Sequence, residues 1–113
     1  MAKRYRLYCF LFFFIFLLFS CKNSVIETQV HVWGVCDLAK TKIDSAAKLP
    51  GVEKADWSRD TRLLTLKFDS TKITLDNILK NVAMAGFDNE RYFADDYAYE
   101  HLPDSCKYER KKE

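Results

Sequence analysis

Thr28-Gln29-Val30-His31-Val32-Trp33 alternates in polarity, with Val30 and Val32 on one side, which predicts a strand with one buried face ended by Gly34. From Asp37 to Leu49 the period lengthens. Leu38, Ala39, Ile43, Ala46 and Leu49 fall near a helical stripe, Asp37 suits an N-cap or first-turn acid, and Pro50-Gly51 stops the helix. Val52 to Ser58 reads as a second strand, Arg59 to Arg62 as a polar turn, and Leu64, Leu66 and Phe68 as the inward positions of a third strand in the same hairpin. Thr74 or Asp76 opens a second helix with Ile78, Val82 and Ala85 inward and Gly86 as its stop. Phe87 to Ala94 is expected as a fourth, more polar strand, and Asp95 to Leu102 as a short helix broken by Pro103. The charged residues Glu109 to Glu113 are expected to fray.

This order is βαββαβ, the split βαβ plan. It predicts an α+β, ferredoxin-like sandwich: a four-stranded antiparallel sheet with two helices on one face, plus a short C-terminal helical extension. The other sheet face would be bare. The aromatics Trp33, Tyr92, Phe93, Tyr97 and Tyr99 suggest that the C-terminal segment folds over it, with Trp33 beneath.

Ahead of this domain lies a different pattern. Lys3, Arg4 and Arg6 precede an uncharged, Phe- and Leu-rich run from Leu7 to Phe19, and Ser20 stands before Cys21. A basic region, an apolar core and a small residue at the end form a secretory signal. The run is too short to span ~30 Å of hydrocarbon, which takes about 20 residues, and the leading positives keep the N-terminus cytoplasmic. Leu18-Phe19-Ser20-Cys21 resembles the lipobox of bacterial lipoproteins, which implies cleavage after residue 20 and diacylglycerol on the Cys21 sulfur. The alternative is an uncleaved anchor helix; both tether an exported domain to a membrane. The expected divisions are a signal peptide at 1–20, a polar tether at 21–27, the domain at 28–94 and an extension at 95–113.

Processing changes the composition. Three of the 18 basic residues leave with the signal, so 15 remain against 16 acidic ones, a balance that gives no reason to expect nucleic acid as partner. Removing 20 residues from 113 leaves 93, enough for one small domain. Of four cysteines, Cys9 is discarded and Cys21 lipidated, leaving Cys36 and Cys106. Outside the cytoplasm such a pair can be a disulfide, a metal site or two unrelated thiols.

Val30-x-Val32-x-Gly34-x-Cys36, then Ile43, Ala46, Leu49 and Gly51-Val52, with Ala85-Gly86-Phe87-Asp88 further on, resembles the heavy-metal-associated domain of copper chaperones and metal-pumping ATPases. The resemblance covers about residues 28–94 and implies the same fold. In that family a Cys-x-x-Cys at the first loop holds a soft cation such as Cu(I). Here Cys36 fills the first position and Ala39 the second. A subset of exported relatives ends in a Tyr-rich segment and Leu-Pro before a cysteine pair; this chain reads Tyr97 to Tyr108 with Ser105-Cys106 there. One thiol survives at each end.

A fourth strand of eight residues would carry the chain ~26 Å away from the loop at ~3.3 Å each. Asp95–Leu102 returns ~12 Å as helix, and four extended residues add at most ~14 Å, so Cys106 can just reach Cys36. A disulfide there would close a loop of about 70 residues; a dithiolate would hold Cu(I) or another soft ion; switching between the two is a third state. The resemblance favours metal, with Cys36 and Cys106 as ligands, and a metal transporter or metal-donor protein as partner. The runner-up is a metal-free interaction or structural domain.

Other candidates rank lower. His31 faces the open sheet side. His101 is an auxiliary ligand candidate by its nearness to Cys106. Met84 suits a packing gap. Asp95, Asp96, Glu100 and Asp104 lack the spacing of a calcium loop and read as solvated charge. No nucleophile–base–orienter set, Gly-rich phosphate loop or carboxylate pair points to an enzyme.

Overall fold

A computed structural model of the chain describes residues 24–113. The segment expected as a signal peptide, 1–20, and Cys21, expected to carry lipid, lie outside the described residues.

The elements are β1 (Val25–His31), α1 (Asp37–Ala47), β2 (Val52–Trp57), β3 (Leu63–Asp69), α2 (Leu75–Met84), α3 (Asp96–Glu100) and a 3-10 turn over Asp104–Cys106. β1 begins at Val25, so the strand takes up the end of the segment expected as tether at 21–27. Among the described residues the sheet has three antiparallel strands in the order β1-β3-β2.

Register explains the core. Val30 lies opposite Leu64, Thr28 opposite Leu66 and Ile26 opposite Phe68. On the other side of β3, Trp57 pairs with Leu64, Ala55 with Leu66 and Val52 with Phe68, with a register shift between Val52 and Lys54. Strict alternation would turn Val52 away from Ala55 and Trp57; one extra residue restores it to their face. Leu64 and Leu66 are fully buried there, against Ala39, Ile43 and Ala47 of α1 and Ile78, Leu79 and Val82 of α2. Those positions follow the three-and-four spacing of a helix stripe.

The opposite sheet face is polar and stays open. Gln29 donates to Thr65 at 3.2 Å, and Lys67 sits 3.8 Å from Glu27 and 3.7 Å from Glu53. The expected C-terminal cover over this face is therefore corrected. Leu102, Cys106 and Tyr108 join the main core instead.

The expected fourth strand is also corrected. Its place beside β1 is reduced to one bridge, Val32 with Asn89, and to the Trp33 amide donating to the Asp88 carbonyl at 2.9 Å. The side chains explain why pairing stops. Asn89 Oδ1 accepts the amides of Arg91 and Tyr92, both at 3.1 Å, and the Asn89 amide donates to the Tyr92 carbonyl at 3.0 Å. That turn outcompetes a ladder. Asp88 Oδ1 accepts the Ala94 amide at 2.6 Å and closes the loop.

The helix ends are specified locally. Thr74 Oγ1 caps α2 by accepting the Asn77 amide at 3.2 Å, and Asp95 caps α3 by accepting from Ala98 at 2.9 Å. Gly86 has φ +108, and a Cβ there would lie 3.2 Å from the Ala98 carbonyl carbon and oxygen. Its lack of a side chain lets the C-terminal segment lie against the end of α2. α3 is shorter than the expected Asp95–Leu102.

Candidate metal-binding thiol site

The loop after β1 is shaped by Trp57. Its indole is fully buried, and Nε1 donates to the Val32 carbonyl at 2.9 Å. A Cβ on Gly34 would stand 2.9 Å from the indole edge and 3.2 Å from the Ala39 methyl. Only glycine lets the loop pass over the ring, and Cys36 is thereby delivered to the start of α1.

Cys36 is the N-cap of α1. Its Sγ accepts the Ala39 amide at 3.2 Å, with Asp37 in the first turn paired to Arg59 at 2.9 Å. Amides at a helix N-terminus favour a thiolate over a thiol. Ala39, where the resemblance would place a second sulfur, is wholly buried against Gly34 and faces the core.

The second sulfur comes from the far end of the chain. The turn after Pro103 is closed by the Cys106 amide donating to the Pro103 carbonyl at 2.8 Å, and it aims Cys106 inward with 3% of its surface exposed. Cys36 and Cys106 are joined as a disulfide, with Cα atoms 5.1 Å apart, inside the usual window for such a bond. Chain length permits Cys36 and Cys106 to meet, and here they are bonded to each other. The route differs from the expected one, because Asp88 and Asn89 turn back beside β1 and no strand carries the chain away.

The segment around Cys106 is locked by a group that sequence reasoning missed. Tyr108 Oη donates to the Gly86 carbonyl at 2.7 Å and accepts the Asp88 amide at 2.8 Å. Asp88 is fully buried, and Arg110 Nε reaches both its oxygens, while the Lys111 amide donates to Oδ2 at 3.0 Å. Burial pushes the Asp88 carboxyl upward, but the Arg110 guanidinium and the Ala94 and Lys111 amides outweigh it, so it titrates below the ordinary carboxylate value. Burial pushes the Tyr108 phenol well above its ordinary value. Arg110 and Lys111 are thus held, contrary to the expected fraying of Glu109–Glu113. The sequence carried no signal for this, because the burial of Asp88 is visible only in the fold.

The remaining candidates stand apart from the sulfurs. His31 stacks on Trp33 with ring centroids 3.8 Å apart. His101 stacks on Tyr97, and its Nδ1 lies 2.7 Å from the Tyr97 carbonyl oxygen. Met84 is 68% exposed, so it fills no packing gap. Asp96 pairs with Arg110, and Glu100 and Asp104 flank Lys107. Among the described residues no three His, Cys, Asp or Glu side chains converge. Beside the sulfur pair, Trp33, Gly34, Val35, Arg62 and the residues from Tyr108 to Lys112 line an open groove of about 530 Å³.

Solved structures resemble this chain. A protein assigned to copper-ion binding from Bacillus anthracis str. Ames superposes with a TM-score of 0.58 at 25% identity, covering 61% of this chain and 100% of that one. Oxidised MerP from Ralstonia metallidurans CH34 matches with a TM-score of 0.55 at 26% identity, over 58% of this chain and 94% of that one. A copper binding domain from HMA7, a P-type ATPase, matches with a TM-score of 0.54 at 26% identity, over 57% and 89% respectively. No family model matches the chain, and no curated protein matches it in sequence. The fold is α+β and like that of heavy-metal-associated domains.

Proposed function

We propose that this chain is a lipid-anchored protein of the bacterial cell envelope that takes a soft metal ion, most simply Cu(I), between the sulfurs of Cys36 and Cys106. It passes the ion on without turnover of its own. The observation that carries this reading is the convergence of two sulfurs, from opposite ends of the domain, at the N-terminus of α1. Structures it resembles include two described as binding copper, one of them a domain of a P-type ATPase. A metal transporter or metal-donor protein is accordingly the partner, and Cys21 carries the anchor.

As bonded, the pair is the oxidised form. A dithiol donor opens it by exchange: two electrons and two protons pass to Cys36 and Cys106, and the donor becomes a disulfide. The two thiols then bind the ion as thiolates and release their protons. The helix N-terminus lowers the cost of that step at Cys36.

A second reading rests on the burial of Cys106 at 3% exposure, which suits a permanent structural disulfide in a metal-free domain. Anaerobic Cu(I) titration of the reduced protein, against Cys36→Ser and Cys106→Ser variants and with a competing chelator, separates the two. One tightly bound ion, lost in both variants, supports the metal site. Equal weak binding by all three overturns it.

A further inference from the structure

The end of the domain opposite the sulfur pair carries apolar surface. Val25 and Ile26 are 44% and 43% exposed. Ile26 joins Phe68, Ile73 and Leu75 in lining an open groove of about 310 Å³, bordered by Thr28, Ser70 and Thr74. Exposed Lys72 stands beside Ile73. The start of the described chain is clamped there. The Ser24 carbonyl accepts both the Ser70 amide, at 2.7 Å, and the Ser70 hydroxyl, at 2.8 Å.

We infer that this end is a membrane-facing surface, with the groove and the Val25–Ile26 pair seated on the bilayer that holds the anchor. The inference rests on the reading of Cys21 as the lipid-bearing residue. From Cys21 to Ser24 the chain spans at most ~11 Å at ~3.6 Å per residue. Acyl chains on Cys21 therefore enter the bilayer within that distance of the clamp, and the surface brought nearest the lipid is this groove. Exposed aliphatic side chains partition into the acyl boundary, and a neighbouring lysine favours anionic headgroups. β1 then runs away from the membrane, with Val25 at the lipid and His31 ~20 Å further out at ~3.4 Å per residue. Beyond His31 lies the loop to Cys36. The orientation holds the sulfur pair clear of the lipid, where a soluble or membrane-bound partner can approach it.

Tryptophan quenching in the full lipidated chain tests this. The chain is expressed from its complete precursor and reconstituted into phosphatidylethanolamine–phosphatidylglycerol vesicles with brominated acyl chains. Ile26→Trp places a probe in the groove and Lys72→Trp one on the same surface beside Ile73, and Trp33 and Trp57 of the parent protein report the rest of the domain. Lys72 is exposed, so that variant folds even if Ile26→Trp does not. Probes on this surface quenched about twofold or more beyond the parent emission, as burial in the acyl boundary requires, support the inference. Equal quenching of probes and parent, or a groove filled by the protein's own unbrominated acyl chain and so left unquenched, overturns it while the anchor reading stands. A chain that does not float with vesicles, and whose mass lacks diacylglycerol, overturns both.

Discussion

Arg110 reaches back 22 residues to set its Nε 3.0 Å from Oδ1 and 2.9 Å from Oδ2 of Asp88, a carboxylate with no exposed surface. Removing one partner of a buried ion pair leaves the other charge uncompensated, at ~3–5 kcal/mol. The Arg110 side chain keeps 28% exposure, so Arg110→Ala should cost less, about 2–3 kcal/mol. Urea denaturation of the oxidised protein checks this; a loss below about 0.5 kcal/mol, the usual surface effect, would show that the pair is not a lock.

The same carboxylate sets the acid limb of stability. Its folded pKa is depressed, so its contribution is fully present above the unfolded value near 4 and disappears as pH falls through the lower folded value. Stability should therefore decline below about pH 4 through this group. Asp88→Asn should be less stable at neutral pH and show a shallower decline. Denaturation midpoints measured from pH 7 to pH 2 give both, and parallel curves would remove Asp88 as the cause.

Cys36 and Cys106 are 70 residues apart in sequence, and cross-linking a loop of that length stabilises a domain by ~2–4 kcal/mol. Cys36→Ser and Cys106→Ser should lose similar amounts in that range, because each removes the same link. Added reductant should lower the parent to their level and leave both variants unmoved. A reductant effect on either variant would point to a different bond.

At Gly86 a methyl group is doubly unwelcome. The φ of +108 disfavours any L side chain, and the Ala98 backbone stands 3.2 Å from the Cβ position. Gly86→Ala should cost about 1–3 kcal/mol, as for other strained backbone positions. Amide exchange should quicken first in residues 95–108, where the C-terminal segment leans on this glycine. Unchanged exchange there would contradict the packing.

Much of the domain was legible from side-chain period alone. The β2–β3 hairpin, both long helices and their stops follow from Leu64-x-Leu66-x-Phe68, Ile43, Ile78 and the glycines. Phe87–Ala94 was misread because alternation is blind to what Asp and Asn side chains do to backbone. Asp88 and Asn89 take five amide or guanidinium donors between them in that loop, and a strand cannot form around such acceptors. The sulfur pair was legible as a possibility of reach, and the route was not, because it depends on that loop turning back. Arg110 and Lys111 looked like a frayed end since charge alone carries no hint of a buried partner 22 residues away.

The covalent ring closed by Cys36 and Cys106 encloses α1, β2, β3, α2 and α3, and leaves β1 outside. Mechanically the molecule is then a locked body on a peelable strap. Tension entering from the N-terminal side is borne first by the Ser24 carbonyl and its bonds from Ser70, then by Val25 and its pairing with Asp69, and so on by each following rung to His31 and Leu63. A pull strong enough to strip the strap would stop at Cys36, with everything inside the ring still held.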